Sequence, residues 1–190
     1  MTKDPVRKKP NPVRRMPQPL GIYANELYHR AKIYTEANAV LDVEANKDFL
    51  YPGFFLLAHA LELALKSYLA ACEVSKDDIR DYGHDLKKLH TDCLEKGLPQ
   101  VEDVDHLVRH LARMNKGPDF PLRYPPGYFT SVPTPAGCLA AMEALLAVIG
   151  RAILPAALQA QLQIIQPGGG LILWTDEKRP SKARRRSDPQ

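Results

Sequence analysis

Apolar and polar positions along this chain follow a helical rhythm, in blocks divided by glycine and proline. Tyr23, Leu27, Ala31, Tyr34, Ala37 and Leu41 recur at steps of three and four, which predicts a first amphipathic helix from Ile22 to Glu44. A turn is expected at Asn46 to Asp48. Pro52 suits a first helical position, and FFLLAHALELALKSYLAAC follows without a breaker, so a second helix, apolar nearly all round, is predicted. Its interruptions, His59, Glu62, Lys66 and Glu73, stand 3, 4 and 7 residues apart and share one line. Such a helix belongs at the centre of a bundle, with one seam open to water or to a partner.

Gly83 leads into HDLKKLHTDCLEKG, where Asp85 can cap a third helix with Leu86, Leu89 and Cys93 as its stripe, ended by Gly97 and Pro99. A fourth begins with Glu102, Asp103 and Asp105 and finishes with Arg109, Arg113 and Lys116, a charge order that complements the helix dipole. Its buried face is Val101, Val104, Val108 and Leu111. The proline-rich GPDFPLRYPPGYFTSVP reads as an ordered loop laid on the bundle. Thr134 and Pro135 open a fifth helix with Leu139, Met142, Leu146 and Ile149 inward, and Pro155 should end or kink it. AALQAQLQII then predicts a short sixth helix, PGGG a break, and LILW a brief extended segment. The fold class is all-α, an antiparallel bundle of four to five main helices over 20–166. Residues 1–19 read as a disordered, basic, proline-rich tail, and 167–190 as a glycine-rich turn, a short extended segment and a basic tail.

At 190 residues and 45% hydrophobic, the chain can bury the core of one domain. Charge is divided unevenly. Residues 1–19 and 177–190 hold 12 of the 26 Lys and Arg but only three of the 22 Asp and Glu, leaving 14 and 19 between them, so the body carries a net −5 while the chain carries +4. General attraction to nucleic acid must therefore come from the ends. The three cysteines, Cys72, Cys93 and Cys138, form no CxxC pair and suggest small hydrophobes in a reducing cytoplasm. The two most apolar windows are broken by charged residues, so neither a transmembrane helix nor any membrane partner is expected, and the N-terminus shows no signal-peptide core.

No phosphate-binding glycine loop, GxSxG turn or HExxH helix is present. His106 and His110 stand at a spacing able to hold a metal from one helix face, yet a pair lacks further ligands and reads as two solvent-facing histidines. Neither a metal nor a cofactor is expected. Glu62 and Lys66 are placed for an intrahelical ion pair.

The combination of HALELALKSYL on the second helix with GHDLKKL opening the third, followed by LRYPPG, resembles the HEPN superfamily, with the sharpest match between His59 and Leu89. The resemblance implies a four- or five-helix bundle, frequent homodimers and association with nucleotides or RNA. In many members it also implies metal-independent RNA cleavage by an arginine and a histidine with four to six residues between them. This chain departs from that spacing. Its nearest pair, Arg80 and His84, has three between and lies at a loop.

Three functions follow as expectations. The first is a HEPN-like non-catalytic binding or accessory protein, homodimeric, acting with nucleotides, RNA or a companion such as a nucleotidyltransferase or antitoxin. Its ligand residues would be His59, Glu62, Lys66 and Tyr124. The second is a ribonuclease of toxin or defence type, in which Arg80, His84 and Arg123 converge to supply a base and a cation for attack by a ribose hydroxyl. A plain helical interaction module is the third.

Overall fold

Residues 18–115, 122 and 132–164 are described by a computed structural model of the chain. Six α-helices and one 3-10 turn follow in the order α1 (Leu20–Val40), the turn Lys47–Phe49, α2 (Leu50–Ala71), α3 (Lys76–Asp81), α4 (Leu86–Glu95), α5 (Val104–Asn115) and α6 (Pro135–Ile164), with no strand among the described residues. The all-α reading holds. The basic tails, the PGGG and LILW segments and most of the proline-rich loop lie outside the described residues.

α2 is the axis of the bundle because its apolar residues occupy every side. It packs on α1, α6, α4 and α5 together, and Leu61, Leu65 and Leu69 retain no exposed surface. Burial of each such leucine contributes about 1.5–3 kcal/mol. Most of the length of α2 is covered by its own chain. α1 runs antiparallel to α2, with the Asn38 side chain donating to the Gly53 carbonyl at 2.9 Å.

The end of α1 falls at Val40, four residues short of the expected Glu44. Asp42 takes a left-handed φ of 44°, and its carbonyl accepts from the amides of Ala45 and Asn46, so the chain turns rather than winding on. The buried face of α1 includes Leu27 and Ala31 as expected, then rotates to Thr35 and Asn38 while Ala37 is exposed. Both buried polar side chains are satisfied, Thr35 by the Ala31 carbonyl at 2.9 Å and Asn38 by Gly53.

Sequence reading missed α3, although its signal is present. Ser75 accepts the Asp78 amide, and Asp77 and Asp78 sit in the first turn where the helix dipole favours negative charge. The caps of α4 are as expected: Asp85 accepts from the Lys88 amide, and Gly97, at φ 91°, ends the helix. α6 corrects a larger error. Pro155 neither ends nor separates it, and the predicted fifth and sixth helices are one helix of 30 residues. A mid-helix proline costs about 3 kcal/mol, but buried Ile153 just before it and Ala157 and Ala160 beyond it hold the second half on the bundle.

The contact that seats this half is at Gly21. A side chain there would meet the Ala156 carbonyl oxygen at 2.2 Å, so only glycine lets the first turn of α1 lie against α6. Further along, Tyr28 donates to the Leu146 carbonyl at 3.1 Å. α1 and α6 are thus antiparallel, with the start of one beside the end of the other. By length and composition, Lys47–Ala71 and Pro135–Gln163 are both apolar enough to cross a bilayer, against expectation, but 72% of the first is buried in the fold and 44% of the second. The first is a core helix.

Candidate functional site

Halfway along α2 the apolar surface is interrupted by Glu62, a carboxylate with only 5% of its surface exposed. A charge so deeply placed must be paired, and the geometry pairs it twice. Lys66, one turn on, donates to Oε1 at 2.7 Å, and His84 Nδ1 meets Oε2 at 2.8 Å. The Lys66 ammonium also donates to the Gly83 carbonyl at 2.7 Å. Gly83 adopts φ 55°, a conformation glycine reaches without strain, and this turns its carbonyl toward α2 at the point where the chain enters α4. At Glu62 and Lys66 the seam predicted to be open is therefore closed by the turn between α3 and α4, while Glu73 stays exposed.

These contacts divide the residues by exposure. Glu62 and Lys66 are paired and largely covered. The His84 side chain is 64% exposed. With Nδ1 held by a carboxylate, its ring is fixed in orientation and Nε2 is left for solvent or ligand. His59, one turn before Glu62, stacks edge-on against Tyr34 with centroids 4.7 Å apart. Burial lowers the His59 pKa; Glu62 opposes the shift, and His84 and Lys66 reinforce it. Together His59 and His84 offer two imidazoles on one polar patch, one half-buried and one fixed by a buried acid.

The ribonuclease arrangement is not assembled by the described residues. Arg80 lies on exposed α3 and pairs with Asp77 at 3.1 Å, rather than with His84. Arg123 and Tyr124, the second cation and the fourth ligand candidate, lie outside the described residues. Tyr34 was missed as a neighbour of His59, because the α1 pattern marked it only as core. Tyr82 was missed too. Its hydroxyl donates to Asp92, and that bond, with burial, raises its pKa to about 12, tying the α3–α4 turn to α4.

A second concave region lies between α5 and the start of α6, a cavity of about 260 Å³ lined by Asp103, His106, His110, Thr134, Gly137 and Cys138 among others. The guanidinium groups of Arg109 and Arg113 donate to Nδ1 of His106 and His110, at 3.2 and 3.3 Å. Burial lowers the His110 pKa, and the guanidinium groups of Arg113 and Arg109 add to the effect. No cluster of three metal-binding side chains occurs among the described residues. Nearby, buried His90 faces Asp105 at 3.5 Å, its pKa lowered by burial against the pull of that carboxylate. Cys93 and Cys138 are buried with their thiol pKa values raised by burial, Cys138 to about 11, so both are inert at neutral pH.

Compared with family models, curated proteins and solved structures, the chain gives no match.

Proposed function

We propose that this chain is a HEPN-like, non-catalytic binding protein, and that the exposed edges of His84 and His59 contact the phosphate or base of a nucleotide or RNA. The observation that supports this reading is His84 itself. An exposed imidazole held at Nδ1 by a nearly inaccessible glutamate is costly to build, since the acid must be desolvated and paired, and it offers one oriented nitrogen outward. The test is NMR titration with AMP and with a short single-stranded RNA. Ring signals of His84 and His59 should move with either ligand, and His84→Ala should abolish the response without altering the helical signal. Unmoved histidine signals at millimolar ligand refute the proposal.

The same imidazole supports the ribonuclease as a second reading, because a histidine oriented by a carboxylate is suited to general-base work. Cleavage of RNA in chelator by wild-type protein, lost in His84→Ala by about 100-fold or more, would establish it. Absence of cleavage leaves the binding role. Homodimerisation and a nucleotidyltransferase or antitoxin companion belong to the same proposal through the family resemblance. Light scattering at twice 21.3 kDa is the check on the dimer.

A further inference from the structure

The cavity between α5 and the start of α6 shares no residue with the His84 patch, and its walls are of two kinds. Leu107, Pro133, Cys138 and Ala141 give an apolar floor, while His106, His110 and Thr134 bring polar groups to it. Both histidines have a defined tautomer. A guanidinium can only donate, so the Nδ1 atoms of His106 and His110, met by Arg109 and Arg113 at 3.2 and 3.3 Å, must accept, and each ring carries its hydrogen on Nε2. Arg109 is itself held, its Nε donating to the Asp105 carbonyl at 3.2 Å. A spacing of four residues sets the two rings one turn apart on the same side of α5. The cavity is thus lined by two oriented N–H donors, each backed by a cation, beside a hydrocarbon surface.

We propose that this cavity binds a small monocarboxylate with an apolar body. The two imidazole N–H groups donate to the carboxylate, where hydrogen bonds to an anion are about twice as strong as those to a neutral acceptor, and the body rests on the floor. A volume of about 260 Å³ lies below the ~300–1,000 Å³ of sites for drug-sized ligands, so the body is no larger than a single ring or a short chain. Asp103, which also lines the cavity, decides among anions. It repels a dianion about twice as strongly as a monoanion, and no lysine or arginine among the described residues lines the space to offset this, so phosphate is disfavoured. A metal ion is disfavoured for another reason. Coordination at Nε2 moves the ring hydrogen to Nδ1, where the arginines already donate.

The experiment is NMR of the full-length chain during titration with benzoate. The ring signals of His106 and His110 and the methyl signal of Ala141 should shift saturably at about millimolar ligand, with acetate and inorganic phosphate at least about tenfold weaker. His59 and His84 should stay in place, so this site stands or falls apart from the nucleotide site. H106A/H110A, altered at an exposed and a half-exposed position, should bind benzoate at least about tenfold more weakly by the Ala141 signal, with unchanged circular dichroism. Unmoved His106 and His110 signals at about 10 mM benzoate overturn the proposal, as does full benzoate affinity in the double variant. A response to phosphate equal to that for benzoate would show that charge alone is read and the floor is idle. Zinc taken up by both rings and not displaced by benzoate would make this a metal site, and the carboxylate assignment would fall.

Discussion

α2 and α6 are the two most apolar helices of the chain, and composition alone hardly separates them. Their surroundings do. In α2 most of the leucines are buried among the surrounding helices, and the buried carboxylate is paired on both oxygens. The second half of α6 is held along one side only, by Gly21 and the packing around Ile153, Ala157 and Ala160, and its remaining leucines meet solvent. Apolarity in the first helix is explained by the core; on the outer face of the second it is not.

That contrast is easily attacked by truncation. Leu61→Ala, at a position without exposed surface, should destabilise by about 2–5 kcal/mol in urea melts, whereas Leu158→Ala should change stability by no more than about 0.5 kcal/mol. Comparable losses at the two sites would show that the outer face of α6 is packed after all.

Breaking the polar centre of α2 comes next in size. Glu62→Ala strands the largely covered Lys66 ammonium and should cost about 3 kcal/mol. A double-mutant cycle with Lys66→Met should recover part of that loss, because removing both charges leaves neither unpaired. If Glu62→Ala is silent, the carboxylate is better solvated than its surroundings imply.

Pro155 offers an effect of opposite sign. Pro155→Ala supplies the missing amide to the Arg151 carbonyl and should stabilise by about 1–3 kcal/mol, seen as a higher urea midpoint. A loss of stability would mean that α6 relies on the proline geometry to fit the bundle.

The smallest effect expected is on pH. His59, His90 and His110 all have pKa values lowered from 6.5, chiefly by burial. Each takes up a proton more readily when unfolded, so their contribution to stability is complete above about pH 6.5 and is lost progressively as pH falls toward the lowered values. Melting temperature should drop by about a few degrees from pH 7.5 to 5.5, and His90→Gln should flatten the slope.

Elements whose ends carry their own chemistry were legible in the sequence. Asp85 and Gly97 delimit α4, the stripe Val104, Val108 and Leu111 is the buried face of α5, and Thr134–Pro135 opens α6. α3 was legible too, in the spacing of Ser75 and Asp78, but its six residues make too short a periodic signal. Pro155 misled because its local cost is outweighed by packing of Ile153, Ala157 and Ala160 against the rest of the bundle, which no local pattern encodes. In the candidate site, the His59, Glu62 and Lys66 line was visible from spacing. What spacing left out was the Gly83 carbonyl and the division into covered and exposed members, since both depend on how the α3–α4 turn folds back over α2.

The seating of Gly21 against Ala156 and Ala160 brings the first turn of α1 onto the last third of α6, so residues far apart along the chain are close in space. A circular permutant can exploit this, with a short linker joining the end of α6 to the start of α1 and new ends opened in the exposed turn at Glu44–Asn46. It retains every helix while converting the α1–α6 pairing from the most distant in the chain into a hairpin. The cost of closing that loop then falls, and stopped-flow refolding should be faster than in the natural order.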